Sequence, residues 1–328
     1  MINAAIIGLG WWGKTIVNAV QGKSSKIRFV HGVSFEPDTV SDYAKEKGFT
    51  LSTTLDAALA DPQVQVVWLA TPHSTHRKLL EQVAAAKKPV FCEKPFALKF
   101  DDALAMVDAC KQAGVPVGVG QNKRFWPSMA ELRRVVASGV LGRVLHIEGH
   151  YSNEHSTKFF SDWRNSPIES PAGGLTGTGI HIVDAFVGLA GPARRVQAKV
   201  HSTRQGHDPR DATSVMIEFE SGVQGYFAMV RATALYWRVH VFGDKASVEA
   251  LGENETVVRY TGGRVERFTF PAVDSLRLEL DAFAASIPGQ GRSPRPYPIS
   301  VEEMGQGIAL FESIVRSIET TQPVEVPQ

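Results

Sequence analysis

Short apolar runs alternate with amphipathic stretches through the first third of the chain. Residues 1–7, 28–33, 64–70, 90–93 and 115–121 are dominated by Val, Ile, Ala and aromatic side chains, as expected of strands buried on both faces. Between them, residues 15–20, 39–47, 54–59, 75–86 and 101–113 carry apolar positions at helical spacing. Strand and helix in strict alternation predict a parallel sheet wrapped by helices. Near residue 122 the pattern changes. After a helix over 128–137, period-two alternation recurs at 144–151, 196–203, 213–220, 223–230, 238–242, 246–251, 256–260 and 265–270, which predicts an open, largely antiparallel sheet. Two late helices, 273–287 and 301–319, flank a Pro/Gly-rich stretch over 288–298. The expected class is α/β in two domains, a doubly wound parallel-sheet domain over 1–122 and a second α/β domain over 123–328 built on a large open sheet.

Composition narrows the possibilities. A chain of 328 residues is long for a single core, so two domains are the prior. Hydrophobic residues make up 43% and charged residues 21%, and the net charge is +1 with no block of like charge, so an electrostatic footprint for nucleic acid or anionic lipid is missing. The sequence enters its first strand without a basic segment followed by an apolar one, and no run of about 18 apolar residues occurs, so a cytoplasmic protein is expected. Cys92, in a strand, and Cys110, in a helix, read as reduced structural thiols.

Candidate chemistry starts where the first strand ends. Gly8-Leu9-Gly10-Trp11-Trp12-Gly13 lies between a strand and a helix, which is the context a dinucleotide fingerprint requires. Gly8 allows the turn, Gly10 lets backbone approach a pyrophosphate, and Gly13 lets helix pack on strand. The plainer alternative is a Gly-rich turn without a ligand. About 80 residues later, Glu93-Lys94-Pro95 closes the apolar run Pro89-Val90-Phe91-Cys92. An ammonium held beside a cationic nicotinamide and partly shut off from water has a depressed pKa and can transfer protons at neutral pH.

These motifs, together with Thr71-Pro72-His73-Ser74-Thr75-His76, Arg124-Phe125-Trp126-Pro127, Trp163-Arg164 and Gly179-Ile180-His181-Ile182-Val183-Asp184 after Gly173-Gly174, resemble the Gfo/Idh/MocA oxidoreductases, named for glucose-fructose oxidoreductase and inositol dehydrogenase. The resemblance runs over essentially the whole chain. It implies NAD(P)-linked hydride transfer at a secondary hydroxyl of a sugar, cyclitol or derivative, in a homodimer or homotetramer assembled through the large sheet. It implies Lys94 and His181 as the acid/base pair, facing one cleft between the domains. Cofactor contacts are implied at Gly8, Gly10, Trp12, Gly13, Ser34, Thr71, Pro72, His73, His76, Glu93, Lys94 and Arg164, and substrate contacts at Lys94, Arg124, Trp163 and His181. Glu93 is expected to anchor the turn and balance Lys94. For His181 the plainer reading is a packed histidine at a helix start. Tyr151, Asn153, Tyr236 and Trp237 are further candidates for the pocket. A cis peptide before Pro95 would give Lys94 the sharp turn it needs, because an X-Pro bond is where cis is cheap.

Two departures from the family pattern matter. The family often places an acid four residues before the histidine; here that position is Gly177, which removes a carboxylate and makes room for a bulkier substrate such as a glycoside. The tip of the second strand carries Ser34 where an acid usually holds the ribose diol. With Glu36 and Asp38 following and no nearby cation, a 2′-phosphate is disfavoured and NAD is preferred. His73 and His76 have a metal-like spacing but lack convergent partners, so no metal is expected. His146 and His150 read as one face of a sheet. Two other readings stay open: an NAD-dependent glycosidase-like enzyme that oxidises, eliminates and reduces again, and a dinucleotide-binding regulator without turnover.

Overall fold

The computed structural model describes residues 1–153, 163, 166–201, 212–231, 233–289 and 293–328. By contact, the chain divides into two units: Met1–Ala97 with Asp101–Asn122 and Asp274–Val301, and Leu98–Phe100 with Lys123–Val273 and Glu302–Gln328.

The first unit is built on six parallel strands, β1 (Ile2–Ile7), β2 (Ile27–Val33), β3 (Thr50–Ser52), β4 (Val66–Leu69), β5 (Val90–Cys92) and β6 (Val117–Val119), in the order β3-β2-β1-β4-β5-β6. Helices α1 (Trp11–Val20), α2 (Ser41–Lys47), α3 (Leu55–Ala60), α4 (His76–Ala85) and α5 (Phe100–Ala113) make the connections. The strand order reverses between β1 and β4, and in open parallel sheets ligands bind outside the carboxyl ends of the strands at such a point. The expected run of buried strands is observed, since Val66 to Leu69 and Val90 to Cys92 are all buried.

One helix lies in a different unit from the one its sequence position suggests. Helix α8 (Ser275–Ser286) belongs to the first unit, although all residues after 122 are expected in the second domain. Its apolar face supplies Leu276, Leu280, Phe283 and Ala284 to the core of the parallel sheet, where the Phe283 ring lies 5.3 Å from Phe91 and 5.7 Å from Trp68. Gly118 in β6 makes this possible, because a Cβ there would meet the Phe283 ring at 2.6 Å.

The second unit holds a nine-stranded sheet formed by β7 (Val144–Asn153), β8 (Ala193–His201), β9 (Ala212–Phe219), β10 (Gln224–Arg231), β11 (Tyr236–Gly243), β12 (Ala246–Leu251), β13 (Glu255–Tyr260), β14 (Val265–Thr269) and β15 (Val324–Glu325). The order is β14-β13-β12-β11-β7-β10-β9-β8-β15, antiparallel except where β10 runs parallel to β7. Alternation places Ile147, Gly149, Tyr151, Phe227, Met229, Trp237, Val239 and Val241 on one face. Helices α6 (Pro127–Ala137), α7 (Ile180–Ala190) and α9 (Val301–Thr320) share their core. At Gly149 a Cβ would collide with Ile182 and Phe186 of α7, so the missing side chain lets that helix lie close to the sheet. The end of the expected strand over 196–203 lies outside the described residues. No helix among the described residues is long and apolar enough to cross a membrane.

The tightest glycine of the first unit gives a stability test. A Cβ on Gly13 would overlap the carbonyl oxygen of Gly8, which is backbone and cannot swing aside. Gly13→Ala is therefore expected to cost about 1–3 kcal/mol of unfolding free energy in a urea titration, the range for overpacking; an unchanged midpoint would contradict it.

Candidate active site

The turn after β1 holds its shape through close backbone approach. Gly8 sits at φ +93°, and a Cβ there would overlap the Ala70 carbonyl at the end of β4. Gly13 in turn lets α1 start directly against Gly8. Gly10 differs: it caps α1 in extended conformation, with φ −67° and ψ −172°, and nothing lies within 4 Å of where its Cβ would be. The helix start has no side-chain cap and no acid in its first turn. The result is an open cradle of backbone N–H groups that carries no competing negative charge, which fits a pyrophosphate. Trp12 is half-buried against the core beside it, whereas Trp11 is exposed.

Two further turns end at the same edge of the sheet. Thr71, Pro72 and His73 follow β4, where the Thr75 hydroxyl lies 2.8 Å from that of Thr71 and 2.7 Å from the Pro72 carbonyl. Glu93, Lys94 and Pro95 follow β5, with Glu93 N–H donating to the Leu69 carbonyl at 3.0 Å. The Lys94-Pro95 peptide is cis, as expected. Glu93 is buried, and its Oε2 accepts from the Lys94 N–H at 3.3 Å. Its carboxylate fills the space beside Gly120, where a Cβ would meet Oε1 at 2.8 Å. A second buried carboxylate, Glu279 of α8, accepts from the Gln121 N–H, so two acids bracket Gly120 and Gln121. Glu279 is missing from the candidates of the sequence, although an acid among the apolar positions of a helix is the signal that marks it. Below the turn the Cys92 thiol is fully buried, and burial pushes its pKa well up, consistent with an inert thiol.

His76 was expected at the cofactor, yet it is completely buried and both ring nitrogens face backbone carbonyls. His73 lies beside it, with ring centroids 5.8 Å apart. Among the described residues no group of three His, Cys, Asp or Glu side chains could hold a metal ion. Ser34 is half-buried at the tip of β2 and its hydroxyl accepts from the Glu36 N–H at 3.2 Å, while Glu36 and Asp38 are exposed.

In the second unit, His181 opens α7 and is buried, two residues after a single π-type turn over Leu175–Gly179. Its ring lies 6.3 Å from that of Tyr151, which packs edge-on against Trp237 at 5.2 Å. Trp237 meets Trp126 at 5.2 Å, and the Lys123 ammonium stands 3.9 Å over the Trp126 ring and 5.8 Å from Tyr151. Lys123 and Trp126 thus join Tyr151, Trp237 and His181 in one cationic and aromatic cluster. Burial pushes the Tyr151 phenol up to about 12, so it stays protonated at neutral pH. Gly177 is exposed, and among the described residues nothing lies within 4 Å of where its Cβ would be, while Tyr236 is exposed on the other face of the sheet from Tyr151.

Arg124 was expected on substrate, and the structure places it in an internal ion cluster. Its Nε donates to Asp184 Oδ2 at 2.7 Å, Nη2 to Asp184 Oδ1 at 2.9 Å, and Nη1 to Glu303 at 3.0 Å. Burial opposes the cation, but the two carboxylates outweigh it and raise the pKa, so the guanidinium is permanently charged. Asp184 is the one carboxylate in α7, whose other residues apart from His181 are apolar, a pattern that demands a buried partner. Trp163 is half-buried, Asn153 ends β7, and Arg164 lies outside the described residues.

Comparison with known proteins agrees with this geometry. Residues 2–121 match the model described as oxidoreductase family, NAD-binding Rossmann fold, and residues 129–249 match the GFO/IDH/MocA C-terminal domain. The chain is 26% identical to the 2,7-anhydro-N-acetylneuraminate hydratase of Escherichia coli over 82% of its own length and 72% of that protein. It is 28% identical to inositol 2-dehydrogenase 2 of Saccharopolyspora erythraea, over 99% of this chain and 96% of the other. The crystal structure of an NAD binding oxidoreductase from Klebsiella pneumoniae superimposes with a TM-score of 0.87 at 20% identity, covering 100% of this chain and 99% of that one, which establishes a shared fold.

Two outcomes follow from the site geometry. Gly10→Val has room in the free protein and fills the cradle, so calorimetry is expected to show an unchanged Tm and no measurable NAD(P) binding; binding at the original affinity would refute the cradle. Arg124→Met strands the buried Asp184 carboxyl, whose pKa burial already raises, without its partner, so it is expected to cost about 3–5 kcal/mol of stability, and an equally stable variant with impaired substrate binding would return Arg124 to the pocket.

Proposed function

We propose that this chain, which belongs to the GFO/IDH/MocA oxidoreductase family, transfers a hydride between a nicotinamide cofactor and a secondary hydroxyl of a sugar, cyclitol or sugar derivative. The observation that carries the cofactor half is the open cradle at Gly10, set where the strand order of the parallel sheet reverses. The name of the inositol dehydrogenase relative, aligned over nearly the whole chain, supports the substrate half.

Gly8, Gly10 and Gly13 would hold the pyrophosphate, Ser34 the ribose, and Thr71, Pro72 and His73 the nicotinamide side, with Trp12 as a cover. When bound, the nicotinamide accepts or returns the hydride. Lys94 binds the substrate oxygen and takes its proton as the carbonyl forms, with Glu93 fixing the turn from below. His181 is the second proton-handling group, its ring steadied by Tyr151. Trp126, Tyr151 and Trp237 are buried and back the His181 ring, and the half-buried Lys123 ammonium is the group of this cluster that can meet a substrate hydroxyl. NAD is the preferred cofactor, because Glu36 and Asp38 beside Ser34 would repel a 2′-phosphate. Assembly of copies through the outer face of the nine-stranded sheet is supported by the large apolar side chains exposed there, Met216, Tyr226 and Tyr236.

A second reading has its own support. One relative is named as a hydratase, an activity with no net redox change, and the open position at Gly177 leaves room for a leaving group. A panel of sugars, cyclitols and aryl glycosides with NAD and NADP separates the two: nicotinamide reduction supports the dehydrogenase, and aglycone release without it supports oxidation-elimination. In either case Lys94→Ala is expected to lower turnover by about a hundredfold or more with little change in dinucleotide affinity, and His181→Ala to act in the same direction. Normal turnover in both variants would leave a dinucleotide-binding regulator.

A further inference from the structure

We infer that His76 is a positioning residue for Lys94, holding the Lys94-Pro95 turn at the Pro95 and Phe96 carbonyls while Glu93 holds it at the Lys94 N–H; the inference rests on Lys94 being a proton-handling group. His76 is 0% exposed, so its ring has no access to a dinucleotide or a substrate and acts through what it holds. Its Nδ1 lies 3.1 Å from the Pro95 carbonyl oxygen and 3.3 Å from that of Phe96, while Nε2 lies 3.1 Å from the Thr71 carbonyl oxygen. Carbonyl oxygens only accept, so a neutral ring donates through one nitrogen alone and the imidazolium through both; donation from Nδ1 is what holds the Pro95 and Phe96 carbonyls. The ring thus lies between the turn after β5 and the turn after β4, bound to the first through Nδ1–H, to the second through Nε2–H, and to both as the imidazolium.

The placement matters because the sheet itself stops short of the lysine. Strand β5 ends at Cys92, and the last ladder bond before the turn runs from Glu93 to Leu69 at 3.0 Å. On one side Glu93 holds the Lys94 N–H, at 3.3 Å. Beyond it, His76 supplies a fixed point at the Pro95 and Phe96 carbonyls. Because His76 opens α4, anchored at its back by the buried Leu80, Val83 and Ala84, the ring transmits the rigidity of a packed helix to the turn. A displacement of a reacting group by about 1 Å is enough to cost on the order of a hundredfold in rate.

The two ring nitrogens can be tested separately. In His76→Asn the amide donor takes roughly the place of Nδ1 and serves the Lys94 turn; in His76→Gln it takes roughly that of Nε2 and serves Thr71. The Asn variant is expected to keep kcat within about threefold of the parent. The Gln variant is expected to lose about tenfold or more in kcat, with KM and dinucleotide Kd changed by less than about threefold. Trace acetylation of the NAD-bound protein with acetic anhydride across pH, quantified on the Lys94 peptide, reads the lysine without a substrate. Its titration is expected to stay put in the Asn variant and to move toward the ordinary lysine value of about 10.4 in the Gln variant. Parental kcat and labelling in His76→Gln, or equal losses in both variants that merely follow Tm, would overturn the inference. Should the Gln variant not fold, the Asn variant decides: a parental Lys94 titration supports the inference and a shifted one overturns it. Full activity in Lys94→Ala would instead remove the reading of Lys94 on which the inference stands.

Discussion

The close approach of backbone to backbone at the carboxyl edge of the parallel sheet is the constraint on which the first unit depends. Gly8 presses on Ala70 and Gly13 presses on Gly8, so α1 begins as near to β1 and β4 as a polypeptide permits. That contact aims the helix start outward at Gly10 and leaves it uncapped. The same edge carries the turns after β4 and β5, joined through His76, so the cradle, Thr71 and Lys94 share one rigid frame. Catalysis of hydride transfer requires this kind of preorganisation, since the cofactor brings the electronics and the protein brings position.

The second unit solves a different problem. A largely antiparallel sheet has one face packed and one face open, and here the packed face gathers aromatic side chains around His181. The ion cluster of Arg124 with Asp184 and Glu303 fixes α7 internally, which holds that histidine's helix in place. Removing a partner from such a buried cluster costs more than the cluster itself contributes, because the remaining charge is stranded.

Local patterns were legible in the sequence and long-range partnerships were not. The alternation of buried strands and amphipathic helices, the Gly8 to Gly13 turn and the change to period-two patterning each arise from neighbouring residues, and each has its counterpart in the fold. The amphipathic stripe of helix α8 reports that one face is buried without naming the sheet that buries it, and Gly118 in β6 is a local mark of the receiving surface. Arg124 looked like a substrate group because its partner Asp184 is 60 residues away. His76 looked like a cofactor contact for a similar reason: its acceptors are carbonyl oxygens, which belong to every residue and leave no trace in the side-chain sequence. Lys123 and Trp126 were hidden beside Arg124 in a motif read for its arginine.

The central claim is that a carbinol hydrogen moves to the nicotinamide. It is tested most directly by incubating the protein and NAD with polyols deuterated at the carbinol carbons, then following the C4 position of the nicotinamide by proton NMR. Deuterium on a single face of C4, drawn from a single carbon of one polyol, is the predicted result. A protein that binds the dinucleotide but leaves C4 free of deuterium with every labelled polyol would contradict the account.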